Sequence, residues 1–371
     1  MVEILDSTLR EGEQTPGVTF TVDEKLRIAS MLDEFGVDYI EAGHPAVSPD
    51  IRRALKAVAD QGLNANVLAH SRALTSDIDL ALDCDVGWIG LFISVLDGRL
   101  KEQFRKDLAQ VCDIVSEAVS YAKAHGLMVR YTPEDTLRSN FESVVAVSKA
   151  ALEAGADRIS VADTVGAALP SKIGPFIRDL KARTGAEINV HCHNDLGLAL
   201  ANSLAAMENG AVCIDSCVNG LGERAGITDL AELTVALRVH YGIDNGWELE
   251  MLPELSEEVE RCSGMKVASN APIVGSNAFS HNAGLHVSAA LKRPSFYEVV
   301  PAETVGRKRR FELDKFTGRD LVDSILDQNT ISLDPSQRDH LMDLIKSREK
   351  GSFSLEEVIC TARGLGYRGV F

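Results

Sequence analysis

RISVADTVGAALPSKIGPFIRDLKARTGAEINVHCHND (158–195) contains one complete strand–helix–strand unit. RISVAD (158–163) and INVHCH (188–193) are short β-branched runs, and 171–184 between them repeats its apolar residues at the 3.6 period of an amphipathic helix. Pro170-Ser171 supplies a helix start. A helical crossover of this length joins parallel strands. The same unit recurs outward in both directions: VEILDS (2–7), DYIEAG (38–43), NVLAHS (66–71), GWIGLFIS (87–94), LMVRYT (127–132) and VCIDSCV (212–218) complete a set of eight strands. Helical periodicity follows at 22–35 after Thr21, 49–60, 103–124, 141–154, 197–209 and 229–241, with a weaker segment at 74–83. Ser48-Pro49 and Asn194-Asp195 read as further start signals, and Gly36, Gly62, Gly126, Gly155 and Gly210 as left-handed stops.

Eight βα cycles predict an α/β fold, a (β/α)8 TIM barrel over 1–265. An open doubly wound sheet shows the same alternation, so the count decides, and no GxGxxG follows any strand. Beyond the barrel the pattern changes to a loop-rich, partly basic stretch, 266–330, containing GRKRRFELDKFTGR (306–319). A small helical tail, 331–371, closes the chain.

The 371 residues are 45% apolar and 25% charged, with 38 basic against 55 acidic side chains and a net charge of −17, which excludes a disordered chain and argues against nucleic-acid binding. Seven scattered cysteines without a CxxC indicate neither a disulfide framework nor a thiolate zinc site, and point to a reducing cytoplasm. MVEILDSTLREGEQ has no basic region leading into an apolar run, and no stretch reaches membrane-spanning length. The expectation is a soluble cytoplasmic protein without nucleic-acid or membrane partners.

Barrel enzymes place their chemistry where strands end. Here those ends carry Arg10-Glu11, Glu41, His70, Arg130, Thr132, Glu134, Asp163-Thr164, and the pair His191 and His193. A strand's period of two sends both imidazoles to one face and Cys192 to the other. On an outward face they are two solvent-facing histidines; on an inward face they are a metal pair, and the barrel strand end favours the second. Nitrogen and oxygen donors without thiolate suit zinc, manganese, cobalt or magnesium. Glu11 is the candidate carboxylate. Arg10 beside it is either a surface ion pair or a planar fork for a substrate carboxylate. Arg307–Arg310 reads as a solvated face, with a CoA-phosphate contact as the functional alternative.

DSTLREGEQTPG (6–17), IEAGHPAVSPD (40–50), VRYTPEDTLRS (129–139), ADTVGAALPSK (162–172), HCHNDLGLALAN (191–202), VNGLGERAGI (218–227), NAFSHNAGLH (277–286) and YEVVPAETVGR (297–307) follow one another in order and at the right spacing. Together they resemble the 2-oxoacid–acetyl-CoA condensing synthases of the metallolyase barrel superfamily: isopropylmalate, citramalate and homocitrate synthases. The resemblance extends from residue 2 to about 320 and is greatest for the homocitrate synthases, archaeal-type ones in particular. It implies a divalent metal held by Glu11, His191 and His193, with Asn219 as a weaker neighbour. It further implies Arg10 and Thr164 at the oxoacid C1 carboxylate, Glu41 orienting Arg10, and Glu134, His286 and Tyr297 as the acid–base set. In such enzymes the last two come from the partner subunit, which implies a homodimer with 266–330 as an exchanged arm. The implied reaction is an acetyl transfer from acetyl-CoA. A base takes a methyl proton, the enolate attacks a metal-polarised ketone, and water cleaves the thioester.

In the homocitrate branch, residues matching His70, Arg130 and Thr132 bind the far carboxylate of 2-oxoglutarate. An arginine in a small barrel cavity calls for a counter-charge. An oxoacid with a second anionic group is therefore expected, against 2-oxoisovalerate and pyruvate. Pairing of Arg130 with Glu134 or Glu41 is the structural alternative. Homocitrate synthase comes first; phosphonomethylmalate-, citrate-, citramalate- and isopropylmalate-type synthases come second. A retro-aldol CoA lyase is disfavoured because the loop reads Asn219-Gly220-Leu221-Gly222-Glu223-Arg224, without a cysteine. A non-catalytic metal-binding barrel would be expected to lose a ligand or an acid–base residue, and none is lost.

Overall fold

The computed structural model describes residues 2–367. Eight strands alternate with eight helices: β1 (Glu3–Asp6), α1 (Val22–Phe35), β2 (Tyr39–Gly43), α2 (Pro49–Ala59), β3 (Asn66–Arg72), α3 (Thr75–Leu82), β4 (Trp88–Ser94), α4 (Leu108–Ala124), β5 (Met128–Glu134), α5 (Phe141–Glu153), β6 (Arg158–Asp163), α6 (Pro170–Thr184), β7 (Ile188–Cys192), α7 (Ala199–Glu208), β8 (Ala211–Ser216) and α8 (Leu230–Tyr241). Each strand pairs in parallel with the next, and β8 returns to β1 with Cys213 beside Glu3 and Ser216 beside Asp6. The sheet is therefore a closed TIM barrel, as the eightfold count requires. A further helix, α9 (Leu252–Ser263), belongs to this unit, which ends at Val267.

The helices form for local reasons and are held by their apolar stripes. In α1, the Thr21 hydroxyl accepts from the Glu24 amide while the Glu24 side chain accepts from that of Thr21, a reciprocal cap. Ile28, Leu32 and Phe35 then bury one face, and Gly36 at φ 99° ends the helix with its amide on Leu32. The segment expected as one helix over 103–124 divides. Residues Arg99–Phe104 make a π turn, Arg105 takes φ 53°, and α4 restarts on an Asp107–Gln110 cap. A strong local cap overrode the longer period. Helix α7 starts two residues later than its period suggests, at Ala199, whose amide donates to the Asn194 side chain while Asp195 is bound to Arg224.

At the strand N-termini Leu5, Leu68 and Cys213 pack under Tyr39 and Trp88, whose rings meet edge-on at 5.2 Å. The Arg158 guanidinium lies 5.3 Å from the Tyr39 ring centre. With this end plugged, polar side chains collect at the C-terminal ends of the strands.

The second unit starts at Ala268. It contains a two-stranded parallel ribbon, β9 (Ser280–His281) and β10 (Arg310–Phe311), and helices α10 (Gly284–Lys292), α11 (Arg319–Gln328), α12 (Pro335–Ser347) and α13 (Leu355–Tyr367). One apolar cluster joins Val287, Leu321 and Ile325 to Leu341, Ile345 and Val358, so it draws on both stretches that composition separates at 330. Among the described residues no helix is long and apolar enough to cross a membrane.

Candidate active site

Strand β1 runs into a tight turn in which the Ser7 carbonyl accepts from the amides of Arg10, Glu11 and Gly12. The turn lifts Arg10 and Glu11 over the barrel mouth. On β7 the two-residue period aligns Asn189, His191 and His193, while Cys192 is turned away and buried. Glu11, His191 and His193 each offer a ligand atom, and these atoms all lie within 4.8 Å of one another. The two Nε2 atoms are 3.3 Å apart, and His193 Nε2 is 4.0 Å from Glu11 Oε1.

His191 Nδ1 lies 2.9 Å from Asp215 Oδ2 on β8, so the ring N–H donates to the carboxylate and Nε2 is left with its lone pair. Two ring nitrogens facing each other with a carboxylate alongside form a donor set that a divalent cation satisfies. Burial pushes the Glu11 carboxyl up, but the Arg10 guanidinium and the two imidazoles outweigh it and hold the group at about 2. Burial, reinforced by His191, pushes His193 down to about 4. An ionised carboxylate and a neutral imidazole are the forms that bind metal.

Behind this trio lies a chain of buried ion pairs. Glu41 on β2 is fully buried and accepts from Arg10 Nε at 2.6 Å, Ser7 Oγ at 2.6 Å and Arg130 Nη2 at 2.8 Å. Arg130 on β5 reaches Asp215 with Nη1 at 3.1 Å, and Arg10 also donates to Glu11. The chain is closed: Glu11, Arg10, Glu41, Arg130, Asp215 and His191 form a ring whose two ends meet at the metal trio. Three carboxylates face two guanidiniums, so the ring carries one negative charge in excess, which favours a cation at the trio.

This arrangement corrects one expectation. Arg130 does not wait unpaired for a substrate anion, because Glu41 and Asp215 already hold both its terminal nitrogens. The argument from an orphaned arginine therefore lapses, although Arg130 still lines the cavity. Asn219 is a second correction. It sits at φ 59° in the loop after β8, and its amide donates to the Ser256 carbonyl at 3.0 Å while accepting from the Ser256 hydroxyl at 2.5 Å. Its polar atoms are committed to α9 and lie outside the ligand trio.

A cavity of about 260 Å³ is lined by Arg10, Glu11, His70, Arg130, Thr132, Glu134, Thr164, His191 and His193, whereas Asp163 is turned to the Ala167 and Ala168 amides. His70 stacks on Phe92 at 4.6 Å and 9°, with Nδ1 3.2 Å from Glu41 Oε1. Burial pushes it down to about 4, and Arg10 adds to the effect. Glu134 is raised by burial against the pull of Arg99, which donates to it at 3.0 Å. Thr164 Oγ1 accepts from the Asp135 amide. His286 and Tyr297 belong to the second unit, where their rings stack at 4.0 Å and 23°.

Sequence reasoning passed over several contributors. Asp215, within VCIDSCV, is the partner of both His191 and Arg130; a carboxylate on the inward period of an apolar strand was the available signal. Thr15 exchanges hydrogen bonds with the backbone of Gly222, and the Glu223 amide donates to Glu11 at 2.9 Å. Backbone donors leave no trace in side-chain identity.

Two family models match the chain: one described as HMGL-like over residues 1–259, and one described as homocitrate synthase post-HMGL domain-like over 273–351. The homocitrate synthase of Pyrococcus horikoshii is 51% identical over 319 residues, 86% of this chain and 88% of that protein. The homocitrate synthase of Pyrococcus abyssi is 47% identical over 365 residues, 97% and 99% of the two chains, and that of Sulfolobus acidocaldarius 43% over 357 residues, 95% and 76%. Among solved structures, the HMG-CoA lyase of Bacillus subtilis covers 72% of this chain and 96% of its own with a TM-score of 0.65 at 24% identity, a likeness of fold. The chain belongs to the HMGL-like family and, within it, to the homocitrate synthase-like members.

Proposed function

We propose that the protein is a homocitrate synthase, an acyltransferase that condenses acetyl-CoA with 2-oxoglutarate and hydrolyses the resulting thioester. The observation that carries this reading is the convergence of Glu11, His191 and His193 in one cavity with Arg10 and Arg130, which the buried Glu41 joins from behind. Glu11, His191 and His193 would hold a divalent cation of the magnesium, manganese, zinc or cobalt kind, which would supply Lewis-acid polarisation of the ketone.

The chain's own side chains do the rest. Arg10, oriented by Glu41, addresses the C1 carboxylate with the hydrogens its carboxylate partners leave over, and the Thr164 hydroxyl lies beside it. His70 and Thr132 address the far carboxylate. Glu134, raised by burial, is one of three groups in the acid–base set, with His286 and Tyr297. As part of the same proposal, His286 and Tyr297 serve the partner's barrel in a homodimer, and 266–330 is the exchanged arm.

The test is thiol release from acetyl-CoA with a panel of 2-oxoacids on the metal-loaded protein, with product mass measured. Strong turnover with 2-oxoglutarate yielding homocitrate is expected. A preference for 2-oxoisovalerate or pyruvate would remove the dicarboxylate claim, and acetyl-CoA formation from a hydroxyacyl-CoA without condensation would replace the synthase with a lyase.

A further inference from the structure

His70 has two ring nitrogens, and Glu41 decides the state of both. The Glu41 carboxylate accepts from Arg10, Ser7 and Arg130 around its two oxygens, and His70 Nδ1 lies 3.2 Å from Oε1. Burial opposes its charge, but Arg10 and Arg130 hold its carboxyl well below the usual range, so it is an acceptor. His70 Nδ1 must therefore carry a hydrogen.

The groups facing the ring are Arg10 from the β1 turn, Glu41 from β2, Arg130 from β5, Phe92 stacked from β4, and His44 edge-on at 5.8 Å with Asp77 behind it. Burial pushes the ring down to about 4, and the Arg10 and Arg130 guanidiniums add to the effect against the pull of Glu41. At neutral pH the ring is the Nδ1–H tautomer. Its one remaining polar atom, Nε2, is then a lone pair on a ring that lines the cavity. A lone pair repels a carboxylate.

We propose that His70 takes a proton from solvent as the far carboxylate of the oxoacid settles against Nε2, and returns it when product departs, so that recognition of the acidic tail is proton-coupled. This rests on the reading above that the substrate carries two carboxylates. The proton converts Nε2 from acceptor to donor, and the arriving anion adds to Glu41 the negative charge that outweighs burial and the two guanidiniums. Only the Nε2–H bond forms and breaks, and the proton's source and sink are both the buffer. The tail of a neutral-ended oxoacid makes no such demand.

The experiment is calorimetric titration of the full-length, manganese-loaded protein at pH 7 with 2-oxoglutarate and with 2-oxobutyrate, each in PIPES and in Tris. Comparing the two acids cancels protons exchanged at the shared ketoacid end. Wild type is expected to take up about one proton more with 2-oxoglutarate, and its 2-oxoglutarate Kd to weaken up to about tenfold per pH unit relative to that of 2-oxobutyrate. In His70→Asn the amide nitrogen keeps the bond to Glu41 and cannot titrate, so the extra proton is expected to vanish. His70→Gln is the alternative if that variant misfolds, and either variant is the reference if 2-oxobutyrate gives no heat. Binding of 2-oxoglutarate by wild type without the extra proton, or its persistence in the variant, overturns the coupling and leaves the synthase reading standing. Absence of 2-oxoglutarate binding and turnover overturns the synthase reading, and the coupling falls with it.

Discussion

Asp215 joins the metal trio to the buried ion pairs: one oxygen faces His191, while both take bonds from Arg130 and one also accepts from Asn189 at 2.8 Å. Replacing it by asparagine substitutes a donor where three groups all donate. Asp215→Asn therefore frees the His191 ring to change tautomer and orientation, and the divalent cation is expected to bind about 10–100-fold more weakly. Calorimetric titration of the metal-free protein with manganese checks this; unchanged affinity would mean that packing alone fixes His191. Residue chemistry was readable where it obeyed a period, as in the His191–His193 pair, which needs only β7 to be a strand. It was not readable where a residue's meaning depends on its partner. Arg130 was recognised as inward-facing, but its pairing with Glu41 and Asp215 joins strands separated in sequence by 89 and 85 positions.

The closing seam between β1 and β8 shows what elements add. Asp6, at the end of β1, is fully buried with Oδ1 accepting from the Thr8 amide and Oδ2 without a partner, and burial pushes its carboxyl up to about 7. With the folded value above the unfolded one near 3.8, the unfolded chain releases its proton first as pH rises. The seam's contribution to stability therefore declines from about pH 4 to pH 7 and is flat above. Asp6→Asn is expected to remove that slope, which urea unfolding across pH 4–8 checks; an unchanged slope would place the titration elsewhere. The loop that follows β8 is tighter still: a Cβ on Gly226, at φ 79°, would sit 1.7 Å from the Gly220 carbonyl oxygen. The same loop delivers the Glu223 amide to Glu11, so Gly226→Ala is expected to abolish metal binding in a protein that keeps its barrel circular dichroism. Strand order and helix count followed from periodicity. The division of the expected 103–124 helix at Arg105 did not, because a local cap at Asp107 outweighs the longer pattern.

At the scale of the whole molecule, the proposed acid–base groups are distributed over two compact units: Glu134 lies in the first, His286 and Tyr297 in the second. The barrel announced itself through eight repetitions of one unit, whereas the second unit, a small cluster of helices around Leu321, Ile325 and Leu341, has no repeat to announce it. The proposal that the second unit serves the neighbouring subunit makes a quantitative demand. Glu11→Gln removes a ligand from the barrel and His286→Ala removes a group from the arm, so each homodimer is expected to be inactive. If the arm is exchanged, a mixed dimer has one site with both residues intact and one site with neither. Random reassortment of equal amounts makes half the dimers mixed, so about a quarter of wild-type activity is expected to return on mixing after mild unfolding and refolding. If each arm serves its own barrel, every site in every dimer lacks one residue and no activity returns. The recovered fraction, read by thiol release against a refolded wild-type control, decides between the two.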